Sequence, residues 1–141
     1  STQVSNTIQI GKNVTRPSFK REWYTIAFIK QKNIITKENI PLLQILDAIR
    51  YIKKIPDASI VSACSRFLVI IKDLTDKDIT TIVRLALKYS PATRALLGAL
   101  LDQLHYSGTA APLLKSLNPI TKYKLPGASK VLSNTSKWNI V

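Results

Sequence analysis

Lysine and arginine are the residues with the most chemistry to do in this chain, and they cluster. Lys12, Arg16, Lys20 and Arg21 crowd one short stretch. On a β-hairpin they share a face suited to a phosphate backbone. A solvated edge strand guarded by charge would carry some of the same residues, although one or two lysines suffice for that. Trp23 and Tyr24 follow, able to stack on bases or to pack into the hairpin. Lys77, Thr81, Arg84 and Lys88 recur at helical spacing opposite an apolar stripe, which fits phosphate contacts or an ordinary solvated face. Arg94 falls near a helix N-terminus, where a cation opposes the helix dipole and calls for an anionic partner: Asp102, Asp76 or a phosphate. Lys115, Lys122, Lys124, Lys130 and Lys137 have no acid among them, and Tyr123 stands between two of them. Nucleic-acid surfaces interleave charge and ring in this way. The candidate nucleic-acid-binding set is therefore Lys12, Arg16, Lys20, Arg21, Arg84, Lys88, Arg94, Lys122 and Lys124.

Other reactive side chains carry less. Asp73, Asp76 and Asp78 are the only dense acidic group, but no Gly or closing Glu gives them a calcium-loop pattern, and helix capping accounts for Asp76 and Asp78. His105 has no Ser, Cys or Asp constellation that would make it a catalytic base, and it sits where a helix ends. Cys64 lies on an apolar helical face and reads as packing. One Cys and one His cannot form a disulfide framework or an ordinary zinc site. No phosphate-binding glycine loop, metalloprotease helix or nucleophile elbow is present. We expect no enzyme, no metal and no cofactor.

The 141 residues carry 21 Lys plus Arg against 8 Asp plus Glu, a net charge of +13. Residues 1–37 hold +6, residues 38–108 hold +2 and residues 109–141 hold +5. The excess thus sits at the two ends. Lys outnumbers Arg by 15 to 6, which favours phosphate attraction over the bidentate reading of guanine edges. An apolar fraction of 45% supports a packed domain. No apolar run reaches the ~18 residues of a membrane span, so we expect a cytoplasmic protein without membrane contact. The chain begins at Ser1 without a signal-peptide pattern, and we expect further sequence upstream.

These residues need elements to position them. Thr7–Glu22 alternates as a hairpin would, with turn residues Gly11–Asn13 and a return strand interrupted by Pro17. Apolar spacing then predicts helices over 37–55, 58–74, 76–89 and 92–106, starting near Asp57, Thr75 and Ser90. The inward residues include Leu42, Leu46 and Ile49, then Cys64 and Phe67, then Ile82 and Leu87, then Leu97 and Leu101. Pro41 leaves the first start open, with Thr36 or Asn39 as caps. Gly108 is placed to end the fourth helix, and a short fifth spans about 111–117. Gly98 within ALLGALL suggests close helix–helix approach. Short joints fold such helices into an antiparallel bundle. The tail holds too many apolar residues to be free and is expected to wrap the domain in extended form. The expected fold is mostly α (α+β): a single domain with a β-hairpin and linker (1–36), a bundle of four to five helices (37–117) and an extended basic tail (118–141).

TIQIGK (Thr7 to Lys12) with FKR (Phe19 to Arg21), ENIPLLQILDAIRYIKKIPD (Glu38 to Asp57), LALKYSPATRALLGALLDQL (Leu85 to Leu104) and KSLNPITKYKL (Lys115 to Leu125) together resemble the C-terminal half of bacterial AbiEi-type antitoxins. The resemblance covers nearly the whole chain, through scaffold-like strings rather than catalytic ones. It implies a type IV toxin–antitoxin system, in which an N-terminal winged-helix domain, absent here, binds the protein's own promoter DNA. The C-terminal domain then adds basic surface and the antitoxic activity. The implied counterpart is a nucleotidyltransferase toxin, held in check without a stable complex. QVSN (Gln3 to Asn6) departs from the Asp-Gly turn usual before TIQIGK. From the residues alone, the competing class is a structural nucleic-acid-packaging protein of viral coat or nucleoid type. That reading predicts cooperative assembly on any long nucleic acid. An enzyme completed by a second chain is a third reading.

Overall fold

The Thr36 side chain accepts a hydrogen bond from the Asn39 backbone N–H at 3.3 Å and so caps a 3-10 turn over Lys37–Asn39. The computed structural model describes Asn33 and residues 35–141. The expected hairpin, with Lys12, Arg16, Lys20, Arg21, Trp23 and Tyr24, lies outside the described residues. The chain divides into two units, Ser1–Pro41 and Leu42–Val141, and the second holds the helical core.

Five helices follow among the described residues: α1 (Ile40–Arg50), α2 (Ile60–Lys72), α3 (Asp76–Ala86), α4 (Pro91–Gln103) and α5 (Ser107–Lys115). Local chemistry sets most of their ends. Pro41 falls in the first turn of α1, where no amide donor is needed. The Ser59 and Ser62 side chains each accept from the other's backbone N–H, at 3.0 and 3.1 Å, a reciprocal cap for α2. This cap, and not Asp57, starts the helix; Asp57 sits in the preceding turn with φ of 56°. Thr75 caps α3 by accepting from Asp78 N–H at 3.1 Å. Pro91 opens α4, but the Ser90 hydroxyl pairs with that of Thr93 at 3.0 Å and caps nothing.

The end of α4 departs from expectation. His105 N–H bonds Asp102 O at 3.0 Å and Tyr106 N–H bonds Leu101 O at 2.8 Å. This is the paired bond pattern of a left-handed helix stop. His105 occupies the left-handed position, with φ of 71°, that glycine normally takes. The stop comes early, so Gly108 falls in the first turn of α5, which starts at Ser107 rather than near Ala111.

Helix α4 is the hub. Every residue from Ala95 to Asp102 is buried, so a helix apolar on all sides is surrounded by partners. Helices α2, α3 and α5 all pack on it, and α5 also packs on α3. Ile79, Ile82, Val83 and Ala86 of α3 point inward as their spacing predicts. Leu87 does not: α3 ends at Ala86, and Leu87 is 41% exposed.

The tail is part of this core. Leu125, Ala128, Leu132, Trp138 and Ile140 are buried. It is less extended than expected, since it turns through a 3-10 segment at Ala128–Lys130, with Gly127 at φ of 95°. A single parallel bridge joins Tyr123 to Ile140. Gly98 meets this tail: a Cβ there would overlap the six-membered ring of Trp138. The glycine in ALLGALL therefore admits an indole, where the sequence suggested a neighbouring helix.

Candidate nucleic-acid interface

Two short segments bring charge together. The first is the exit from α1. Arg50 is its last residue, and a 3-10 turn over Ile52–Lys54 follows. That turn buries Ile52 and leaves Lys53 and Lys54 exposed. Arg50 lies over the Tyr51 ring, with its guanidinium carbon 5.2 Å from the ring centre. The second segment is the extended stretch of tail around Tyr123, which makes an isolated bridge to Ile140. Tyr123 N–H donates to Asn139 O at 2.8 Å, Val141 N–H to Tyr123 O at 2.8 Å, and Leu125 N–H to Val141 O at 2.7 Å. With its backbone pinned in this way, the stretch alternates: Lys122 and Lys124 exposed, Tyr123 half-buried, Leu125 buried. The Lys122 ammonium also reaches the Asn139 side chain at 3.4 Å.

Between the segments lies a cleft of about 390 Å³. Its floor is apolar, from Ile49, Ile52, Leu96, Leu125 and Ile140; its rim carries Arg50, Lys53, Lys54, Lys122 and Lys124, with Tyr51 and Tyr123. Among the described residues no Asp or Glu lines it. Five cations at the mouth of one apolar cleft make a strongly anion-attracting surface, able to hold phosphate at the rim and a flat ring inside.

Lys122 and Lys124 were expected in such a surface; Arg50, Lys53 and Lys54 were not. The missing signal lay in RYIKK (Arg50 to Lys54), which interleaves ring and charge as KYK (Lys122 to Lys124) does. Lys77 and Arg84 are exposed on α3, Lys88 is exposed just past its end, and none of them lines the cleft. Thr81 turns its hydroxyl back to Lys77 O at 2.9 Å.

Arg94 has a partner other than those expected. Its Nη1 donates to Ser116 O at 3.2 Å, at the C-terminal end of α5. A cation there complements the dipole of α5, which offsets its poor position on α4. The two carboxylates are engaged elsewhere. Asp76 accepts from the Tyr106 hydroxyl at 3.2 Å. Asp102 accepts from Trp138 Nε1 at 2.7 Å, and the Lys137 ammonium lies 2.9 Å from the same oxygen. Lys137 is thus compensated, unlike the exposed lysines at 122 and 124. Burial opposes ionisation of Asp102, yet hydrogen bonds from Lys137, Trp138 and Ser107 outweigh it and hold the carboxyl below its usual range.

Two further groups bear on stability. Asp47 on α1 is buried and accepts from the Tyr89 hydroxyl at 2.9 Å, while its other oxygen is unpartnered. Burial pushes this carboxyl up to about 6, against the opposing effects of Tyr89 and Arg50. Cys64 is fully buried on α2, and burial pushes its thiol up to about 11, away from the reactive thiolate.

No family model matches this chain. Neither does any curated protein or solved structure. Among the described residues no helix is long and apolar enough to cross a membrane.

Proposed function

We propose that this chain is a basic DNA-contacting module, the C-terminal domain of an AbiEi-like antitoxin that counters a nucleotidyltransferase toxin and supports autoregulation. One observation supports the DNA-contacting half: Arg50, Lys53, Lys54, Lys122 and Lys124 rim a single cleft that no acid among the described residues lines. Four of the five are lysines, which hold phosphate as point charges and leave base edges unread. Sequence reading at the promoter then falls to a winged-helix domain outside this chain. The antitoxin half rests on the resemblance of TIQIGK, the Glu38 to Asp57 string and KSLNPITKYKL to that family.

Two experiments test the halves separately. Five phosphate contacts give a slope of about −4 to −5 in log affinity against log salt for duplex DNA. Failure to bind DNA at low salt would defeat the first half. Expression of the full-length protein beside its neighbouring nucleotidyltransferase gene should restore growth, and unrelieved toxicity would defeat the second.

A further inference from the structure

We propose that the cleft between the α1 exit and the extended tail stretch receives one unpaired nucleotide of a single-stranded nucleic acid. The base lies against the apolar floor and its phosphates sit among the lysines. This rests on the nucleic-acid reading above and narrows it from any phosphate chain to an unstacked base.

Shape is the first reason. A duplex backbone is met by a charged surface and needs no depth, whereas this cleft encloses about 390 Å³ above buried Ile52, Leu125 and Ile140. That volume lies in the range of pockets that enclose a small organic ligand. An apolar floor gains nothing from phosphate but suits the face of a base.

The hydroxyl of Tyr123 is the second. Tyr123 lines the cleft and is half-buried, while its hydroxyl is shielded from solvent and has no hydrogen-bond partner among the described residues. Buried hydroxyls are seldom left so. A base that draws the Tyr123 side chain into the cleft would give this hydroxyl the donors and acceptors that it lacks. Arg50, with its guanidinium carbon 5.2 Å from the Tyr51 ring centre, adds a guanidinium plane of the kind on which unpaired bases stack. An acidic peptide without aromatic residues would match the rim charge but has no flat ring for the floor.

The test uses the whole chain and three probes at low salt: a labelled oligothymidine of about ten nucleotides, a duplex of equal length, and adenosine monophosphate as competitor. The single strand should bind more tightly than the duplex. Adenosine monophosphate should compete, and inorganic phosphate at equal concentration should not. Tyr123→Ala should lower single-strand affinity about tenfold and duplex affinity less than about twofold. Tyr123→Phe, which keeps the ring and the backbone pairing, should lower it about threefold and decides the matter if the alanine variant does not fold. Duplex binding as tight as the single strand, or equal losses on both probes, would overturn the unpaired-nucleotide site and leave the DNA-contacting reading standing. Polyglutamate competing as well as the oligonucleotide would also overturn it. No binding of either nucleic acid would remove both readings.

Discussion

The indole of Trp138 donates to the buried carboxylate of Asp102 at 2.7 Å, and this bond fastens the tail to the hub helix α4. The Lys137 ammonium reaches the same oxygen at 2.9 Å, and Gln103 one residue on accepts from both the backbone and the hydroxyl of Ser133. The stretch that carries Lys122 and Lys124 is paired to Asn139 and Val141. The latch therefore holds the residues that hold the cleft.

Replacing Asp102 by Leu should cost about 2–3 kcal/mol, because it leaves the buried Trp138 N–H without an acceptor. Since the folded state holds this carboxyl below its usual 3.8, its stabilisation is complete above that value. It is lost as pH falls through the lowered folded value. Denaturant melts of wild type and variant should therefore draw closer in strong acid without meeting, because the protonated carboxyl still accepts from the indole.

Gly98→Ala runs against helix propensity. Alanine is the better helix former by about 1 kcal/mol, yet its Cβ would collide with the Trp138 ring. The expected outcome is a net loss of roughly 1–3 kcal/mol by thermal or urea melting. A gain in stability would mean that the indole does not sit there.

Asp47 gives a pH dependence of the opposite sense. Its folded value of about 6 exceeds the unfolded 3.8, so between those values the folded protein holds the extra proton. Stability thus falls as pH rises through that window, by on the order of 3 kcal/mol, and the loss is complete above it. Asp47→Asn keeps an acceptor for Tyr89. It should remove that slope and raise stability at neutral pH, as urea midpoints across the window will report.

His105 adopts φ of 71° at the end of α4. Glycine takes that conformation without a Cβ clash, so His105→Gly should stabilise by about 1 kcal/mol. A higher melting temperature with no change in nucleic-acid affinity is the expected result.

What the sequence disclosed, and what it withheld, follows the range of the interaction. The caps at Thr75 and Thr36 and the inward faces of α1 to α4 are written within a turn or two, and periodicity read them. The hydroxyl cap at Ser59 was missed because Asp57, two residues earlier, offers the same chemistry. The end of α4 was misplaced because a histidine took the position where glycine is the recognisable sign. Contacts between distant segments were out of reach. Nothing local in ALLGALL says that Gly98 faces an indole from the tail, or that Arg94 turns to the end of α5. The cleft is the same case. KYK was legible as a stretch that interleaves charge and ring, but its meeting with RYIKK depends on the packing of the tail against the bundle.

The central claim, that the cleft is where nucleic acid is held, is tested most directly by moving the same loss of charge between two faces. One variant carries Lys54, Lys122 and Lys124 replaced by Gln; the other, the α3 variant, carries Lys77 and Arg84 of α3 and Lys88 just past its end replaced by Gln. All six side chains are exposed, so both proteins should fold with stability close to wild type. Nucleic-acid affinity is then measured across a salt series. The cleft variant should lose most of the binding at low salt, with its salt slope reduced by about 3, while the α3 variant stays near wild type. An α3 variant that loses as much as the cleft variant, or a cleft variant with unchanged affinity and slope, would contradict the account.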